Sequence, residues 1–152
     1  MSAPESPLHV GQQLRVRKPP VTTTQLVQYA GASGDFNRIH YDQPFALDKG
    51  LPGVIAHGNL TLALTASALQ HACRQWNGGD ALFIRQLSAR YLAPVRPGDE
   101  VEVQVTVASV EADGDAHIEL RAAVGEREVL AGRAVVAPRA EQPQSNPKEP
   151  LP

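Results

Sequence analysis

The sequence predicts an α+β fold in which a curved antiparallel sheet wraps around one long central helix. The helix is predicted from residues 58–73 (GNLTLALTASALQHAC), which are apolar or small on nearly every face. Such a segment is typical of a helix buried in a protein core, and it is too short to cross a bilayer. The sheet is predicted from 82–137, where 101–107 and 117–124 alternate apolar and polar residues as half-buried strands do.

The elements before the central helix are shorter. Residues 9–18 predict a strand that stops at two prolines, because proline cannot donate a hydrogen bond to a neighbouring strand. Residues 21–29 predict a helix whose first N–H groups are capped by one of three consecutive threonines. We expect Gly31 and Gly34 to end this helix and to begin the loop GASGDFNRIH.

Turn signals define the remaining elements. Asp42 is typical of a helix N-cap, and a short helix is predicted to follow it. Strands are predicted at 82–95 and 129–137, on either side of the two alternating strands. The dipeptide Asp113-Gly114 predicts a hairpin between those alternating strands.

Residues 9–137 are predicted to form a single domain, since 152 residues is an ordinary length for one. Residues 1–8 carry two prolines and little apolar content, and we expect them to be a flexible N-terminus. Residues 138–152 are polar and proline-rich, and we expect them to be a disordered tail.

Composition excludes several classes of function. A hydrophobic content of 42%, a charged content of 20% and a formal net charge of −2 predict a soluble protein that binds neither nucleic acid nor a membrane. The single cysteine, Cys73, excludes an internal disulfide and a multi-cysteine metal site. No secretory signal is visible, and we expect a reducing, cytoplasmic location.

The chemically suggestive residues are concentrated between residues 29 and 64. A carboxylate and an imidazole lie close together in a glycine-rich loop, and a histidine-glycine pair follows at the start of the central helix. If the loop curls, both side chains of the first pair can point into one cavity. The residues of interest are Asp35, Asn37, His40, Asp42, His57, Gly58, Asn59 and Thr61.

This stretch resembles the signature of the MaoC-like dehydratases, the (R)-specific enoyl-thioester hydratases of the hot-dog fold. The resembling residues are Tyr29-Ala30, Ser33-Gly34-Asp35-Phe36-Asn37, His40, Asp42, Ile55-Ala56-His57-Gly58 and Leu60-Thr61. The combination is specific, because the D-x-N-x-x-H loop is followed by I-A-H-G-x-L-T at the start of the helix. The order of elements over 9–137 also fits the hot-dog fold.

The resemblance implies a catalytic pair, Asp35 and His40, and a backbone N–H of Gly58 that binds the thioester oxygen. It implies neither a cofactor nor a metal ion, although Asp35, His40 and His57 would make a metal site on paper. The chain departs from the family at Arg38, where proline is usual, and at Asn59, where methionine is frequent. It also has Ala66 where some members place a serine.

The implied reaction is the reversible hydration of a trans-2-enoyl thioester to a (3R)-hydroxyacyl thioester. A carboxylate and an imidazole can hold one water between them, and each such group typically contributes about 10² to 10⁴ in rate. The enolate needs donors aimed at the thioester oxygen, and a helix that begins at Gly58 presents free N–H groups there. The substrate-binding candidates are Asn37, His57, Asn59 and Thr61.

Each assignment has a structural alternative. Asp35 could make an Asx turn, and His40 could be a satisfied, half-buried histidine. Asn37 and His57 could hold the loop backbone, and Thr61 could bond back to its own helix. Two readings are open for Arg38, which either stays in solvent or reaches a carrier phosphate. Asp42 is read as a helix cap and Cys73 as a buried packing residue.

Three functions follow from these observations. The first is a hydro-lyase acting on acyl thioesters of coenzyme A or acyl carrier protein. The second is a non-catalytic partner subunit of a heterodimeric dehydratase, which the three departures would explain. The third is a thioesterase, although a lone carboxylate would then not require the paired histidine. An open sheet around one helix leaves an edge strand and one face to cover, so we expect a homodimer or a heterodimer with a related chain.

Overall fold

A single antiparallel sheet and one long helix make up most of the fold. The computed structural model describes residues 8–79 and 82–137, so the predictions for 1–7 and 138–152 lie outside the described residues. The elements are β1 (Gln13–Arg17), α1 (Thr23–Ser33), a 3₁₀ turn (Arg38–His40), α2 (Gln43–Asp48), α3 (Gly58–Trp76), β2 (Phe83–Tyr91), β3 (Glu102–Val110), β4 (Ala116–Val124) and β5 (Arg127–Ala137).

The five strands pair in the order β1-β3-β4-β5-β2, and every neighbouring pair is antiparallel. The alternation predicted for the central strands is confirmed, because one face of β3 and β4 is buried and the other is not. The inward residues include Val103, Val105, Ile118 and Leu120, and Val105 lies opposite Leu120. This regular register builds the surface on which α3 lies.

The central helix α3 begins at Gly58 as predicted and extends to Trp76, beyond the predicted end at residue 73. Its buried face includes Leu69 and Cys73, and burial raises the pKa of the Cys73 thiol to about 11. The prediction that the helix is buried on nearly every face is wrong for the single chain. One curved sheet covers one side of a helix, so the opposite stripe of Asn59, Ala63 and Ser67 is exposed.

The N-terminal elements differ from the sequence predictions in their boundaries. Thr22 caps α1 in a reciprocal pair of hydrogen bonds with Gln25, which confirms a threonine cap. Gly34 ends this helix in the left-handed region, whereas Gly31 lies inside the helix and does not end it. Leu8, which was assigned to the flexible N-terminus, is only 2% exposed and packs in the core.

Two further strands are shorter than predicted. The first strand occupies only Gln13–Arg17 of the predicted range 9–18, and the strand predicted at 82–95 ends at Tyr91. Beyond Tyr91 the chain bends, and the carbonyl of Val95 accepts the Ala56 N–H at 2.7 Å. This bond ties the segment that leads into α3 to the segment that follows β2.

The segment before α3 is also tied to the loop that carries the candidate site. The Ile55 N–H donates to the Ile39 carbonyl at 3.1 Å, so residues on either side of α2 lie side by side. Asp42 caps α2 by accepting the Phe45 N–H at 3.1 Å, as predicted. Within the described residues, no helix is long and apolar enough to cross a membrane.

Candidate active site

The loop before α2 folds on itself through its own side chains. One carboxylate oxygen of Asp35, Oδ1, accepts the Asn37 N–H at 3.2 Å, and the Asn37 Oδ1 accepts the Ile39 N–H at 3.2 Å. These successive turns bring His40 back towards Asp35. The second oxygen of Asp35, Oδ2, lies 3.8 Å from Nε2 of His40. The Asx-turn alternative and the paired-site reading therefore use different oxygens of the same carboxylate.

His40 is held in one tautomer by the backbone. Its Nδ1 lies 2.7 Å from the carbonyl oxygen of Ile55, and because a carbonyl can only accept, Nδ1 must carry the hydrogen. The neutral ring then presents a lone pair at Nε2, on the side that faces Asp35. The His40 side chain is 8% exposed and that of Asp35 is 52% exposed, so the site is walled by the histidine and reached from the aspartate side.

The distance between the two groups suits a water rather than a direct bond. Two acceptors, a carboxylate oxygen and an unprotonated imidazole nitrogen, do not bond each other, and 3.8 Å is too long for a hydrogen bond in either protonation state. A water placed about 2.8 Å from both atoms can donate one hydrogen to each. The arrangement can therefore orient a water oxygen with its lone pairs directed away from both residues.

His57 supports this arrangement from behind. Its ring stacks on that of His40 with the centroids 3.7 Å apart and an interplanar angle of 22°, and Tyr29 contacts it at 4.8 Å. Its Nε2 donates to the backbone carbonyl of Asp35 at 3.1 Å. Only 2% of His57 is exposed, and its Nδ1 is buried without a hydrogen-bond partner among the described residues. These contacts favour the structural alternative, in which His57 fixes the loop.

The N-terminus of α3 is left uncapped by side chains. His57 occupies the N-cap position, but its side chain makes no capping hydrogen bond, because its ring is directed to Asp35 instead. The first-turn N–H groups of Gly58 and Asn59 have no acceptor within their own helix. The Asp35–His40 pair therefore lies close to the free N–H groups at the start of α3, because the stacked rings of His40 and His57 join the loop to that end of the helix.

The remaining substrate-binding candidates lie in different settings. Asn37 caps the 3₁₀ turn, which favours its structural alternative. Thr61 is only 5% exposed, and its carbonyl accepts the Thr65 hydroxyl, so it lies inside the helix packing. Asn59 is exposed and accepts a hydrogen bond at 2.6 Å from the hydroxyl of Tyr91, a residue that sequence reasoning missed. No local sequence signal pairs residues that distant along the chain.

Arg38, the first of the departures from the family, forms an ion pair at the start of α2. Arg38 directs Nε and Nη2 to the same oxygen of Asp42, at 3.0 and 2.6 Å, and its guanidinium lies 4.4 Å from the Phe45 ring centroid. The Arg38 guanidinium and the Phe45 N–H hold the pKa of the Asp42 carboxyl below its usual value. This ion pair is therefore present at neutral pH and is lost only as the pH falls through that lowered pKa. Arg38 reinforces the start of α2.

The neighbours of Ala66 do not supply the missing serine. The Thr65 hydroxyl is buried and donates to the Thr61 carbonyl at 2.9 Å. The Ser67 hydroxyl lies on the exposed face of α3 and accepts from Nζ of Lys18 at 2.9 Å. Each hydroxyl is therefore already engaged within the fold.

Donor atoms of Asp35, His40 and His57 lie within 4.8 Å of one another, which is close enough to test them as a metal site. Imidazole lone pairs lie in the plane of the ring, so two nearly parallel, stacked rings direct them side by side rather than at one point. The Nε2 of His57 is also engaged with the Asp35 carbonyl. The geometry therefore fits a metal ion poorly.

Comparison with known proteins places this chain in a family. Residues 6–129 match the model of the MaoC like domain. The chain belongs to the MaoC-like family. A 3-hydroxybutyryl-CoA dehydratase from Methylorubrum extorquens is 34% identical over 122 residues, which cover 80% of this chain and 75% of that MaoC-like relative.

A solved structure of a relative shows the same fold. The structure of an (R)-hydratase from Aeromonas caviae superimposes with a TM-score of 0.74 at 30% identity, covering 86% of this chain and 97% of that chain. The predicted hot-dog fold is thereby confirmed. A fungal fatty acid synthase β subunit, TOXC of Cochliobolus carbonum, is 35% identical over 109 residues, which cover 71% of this chain but 5% of that subunit.

Proposed function

We propose that this chain is a hydro-lyase that reversibly hydrates trans-2-enoyl thioesters to (3R)-hydroxyacyl thioesters, with Asp35 and His40 activating the water. The observation that carries this proposal is the 3.8 Å separation between Asp35 Oδ2 and Nε2 of His40, whose Nδ1 is bonded to the backbone. Membership of the MaoC-like family and the names of its relatives support hydration or dehydration as the class of reaction.

The two residues have complementary tasks in this reaction. The water oxygen forms a bond to C3 of the enoyl thioester while one of its protons passes to the Asp35–His40 pair. The same pair returns a proton to C2, so that the elements of water are added and neither residue is changed overall. His40 suits proton transfer because its Nδ1 is anchored, which leaves Nε2 to accept and release the proton. Dehydration uses the same groups in reverse.

The negative charge that develops on the thioester oxygen falls to the start of α3. The N–H of Gly58 is free to donate, and the positive end of the helix dipole favours an anion there. Removing one such donor from an enzyme typically costs roughly 3 kcal/mol of transition-state stabilisation. In this proposal, acid/base transfer takes place at the loop and charge stabilisation at the start of the helix.

The carrier of the acyl group and the oligomeric state belong to the proposal. The relatives' names mention coenzyme A, so acyl-CoA is the first substrate to test, with acyl carrier protein as the alternative. The outer strand β2 leaves apolar side chains uncovered, among them Phe83, which is 64% exposed, and Tyr91, which is 48% exposed. We infer a homodimer that covers them, or a heterodimer with a related chain.

The test is the loss or gain of enoyl-CoA absorbance with crotonyl-CoA and longer trans-2-enoyl-CoAs. The purified homodimer is expected to hydrate at least one of them and to form the (3R) product, and Asp35→Asn is expected to lower kcat about 10²-fold or more. If the wild type is inactive on every chain length with both carriers, the proposal fails. Activity that requires a second hot-dog chain and survives Asp35→Asn would instead establish a partner subunit.

A further inference from the structure

Tyr91, at the end of β2, lies against the first turn of α3. A Cβ added to Gly58 would lie 3.2 Å from two atoms of the Tyr91 ring, so the ring occupies the space beside the glycine. The Tyr91 hydroxyl donates to Oδ1 of Asn59 at 2.6 Å. The phenol therefore contacts the residue proposed to bind the thioester oxygen and is bonded to the next residue along the chain.

This hydrogen bond orients the Asn59 carboxamide. With Oδ1 occupied by the phenol, the Nδ2 amino group of Asn59 keeps its two N–H donors. Within the described residues, no hydrogen bond from Nδ2 is recorded, and Asn59 is exposed. The side-chain amide and the first-turn backbone N–H groups thus form a cluster of donors at one end of α3.

We propose that Asn59 is a substrate-binding residue that contacts the thioester group of the substrate, and that Tyr91 is the positioning residue that orients Asn59. This inference rests on the proposed function and adds to it a side-chain donor beside the Gly58 N–H. The thioester group is common to every such substrate, so the contact does not depend on the length of the acyl chain. Methionine, frequent at this position in the resembling family, could not donate such a bond.

The Tyr91 ring gives the same pair a second task. Because the ring lies next to Gly58, it covers one side of the helix N-terminus. A donor in a partly dehydrated site binds a carbonyl oxygen more strongly than one in bulk water. The tyrosine thus acts through its ring on Gly58 and through its hydroxyl on Asn59.

The experiment compares Tyr91→Phe, Asn59→Leu and the double variant with the wild type. Steady-state kinetics are measured with four-carbon crotonyl-CoA and eight-carbon trans-2-octenoyl-CoA, and the Kd of unreactive butyryl-CoA is measured by calorimetry. Each single variant is expected to raise KM and Kd by about 3- to 10-fold, as loss of one hydrogen bond does, and to lower kcat as well, because a donor beside the thioester oxygen also stabilises the charge that develops there. The double variant is expected to match Asn59→Leu, because tyrosine acts through asparagine.

Tyr41→Phe is the matched control, since it removes a phenol hydroxyl from a residue that is 51% exposed and whose side chain has no hydrogen bond recorded among the described residues. It is expected to leave KM, kcat and Kd at wild-type values. An increase in KM that appears with only one chain length would overturn the inference, because the pair would then line the acyl pocket. Unchanged KM and Kd, or effects that multiply in the double variant, would also overturn it.

The result is separable from the proposed function. If the wild type hydrates no enoyl thioester of any chain length with either carrier, the proposed function fails, and the Kd of butyryl-CoA still reports whether Asn59 and Tyr91 bind an acyl thioester. If the wild type is active and the variants behave as the wild type does, only this inference fails. Thermal denaturation of each variant confirms that the kinetic changes are measured on folded protein.

Discussion

The central strands and the loop before α2 use buried residues in opposite ways. Along β3 and β4 the buried positions are aliphatic and recur at every second residue, as at Val103, Val105 and Leu120. In the loop region the buried residues are two stacked histidines, and one of them has a ring nitrogen without a partner among the described residues. Burying an imidazole is less favourable than burying a valine unless its nitrogens are bonded.

Under the proposed function, this difference separates a region that carries stability from a region that carries chemistry. The buried positions of β3 and β4 are aliphatic and carry no titratable side chain, so substitutions there change the free energy of unfolding. His40 in the loop and His57 at the start of α3 are buried at some cost in stability, and their bonds to backbone carbonyls fix the tautomer of His40 and the position of the loop. Substitutions in the loop are therefore expected to change rate more than stability.

The largest expected effect is on rate, at His40. His40→Ala removes the nitrogen that faces Asp35, and kcat is expected to fall by about 10² to 10⁴ because a general acid/base group is lost. The measurement is the crotonyl-CoA assay at saturating substrate. The control is His117→Ala on β4, an exposed histidine whose side chain is 49% exposed, and its kcat is expected to be unchanged. A comparable loss of kcat in both variants would contradict the assignment of the chemistry to the loop that carries His40.

The next effect is on stability, in the strands. Leu120→Ala leaves a cavity under α3, and the free energy of unfolding is expected to fall by about 2 to 5 kcal/mol. Chemical denaturation measures this loss, while activity per folded molecule is expected to stay near that of the wild type. Leu47→Ala, at a position that is 53% exposed, serves as control and is expected to change stability by about 0.5 kcal/mol or less. A large loss of kcat in folded Leu120→Ala would contradict the claim that the central strands contribute to stability rather than to the reaction.

A smaller effect on rate is expected at Gly58, where the central helix begins. A Cβ there would lie 3.2 to 3.3 Å from the Tyr91 ring, so Gly58→Ala must shift the ring or the helix start. We expect kcat/KM to fall by about 10- to 100-fold, less than the loss of a whole oxyanion donor. Adding Tyr91→Leu, which removes the ring, is expected to restore part of this activity relative to the single variant. Full activity of Gly58→Ala would contradict the close packing.

The smallest effect is expected at the cap of α1, away from both regions. Thr22→Ala removes the bond to the Gln25 N–H, and the free energy of unfolding is expected to fall by about 1 kcal/mol with kcat unchanged. Thr24→Ala is the control, because Thr24 lies within the helix and does not cap it. Equal destabilisation by both variants would show that the cap is not responsible.

The sequence predicts the parts of the fold that depend on neighbouring residues. The period of the central strands, the cap at Asp42 and the start of α3 at Gly58 follow from local side-chain chemistry, and the structure confirms them. Gly31 shows the limit of such signals, since a glycine inside a helix is tolerated when packing favours the helix. The end of α3 and the exposed stripe along it depend on how far the sheet curls.

Some parts of the candidate site can likewise be predicted from the sequence, and others cannot. Asp35 and His40 are recognisable from their spacing and their resemblance to a known signature, and the structure brings them to 3.8 Å. The Ile55 carbonyl that sets the tautomer and the phenol of Tyr91 are not recognisable, because the fold brings them in from distant parts of the chain. Backbone carbonyls carry no sequence signal, and a strand tyrosine resembles any other half-exposed aromatic residue.

The most direct test of the central claim is a double-mutant cycle of Asp35→Asn and His40→Ala in the crotonyl-CoA assay. If the two side chains share one water, losing either disables the pair, and the double variant is expected to be about as slow as the slower single variant. If the two losses multiply, Asp35 and His40 act independently, and the proposal that they hold one water between them is contradicted.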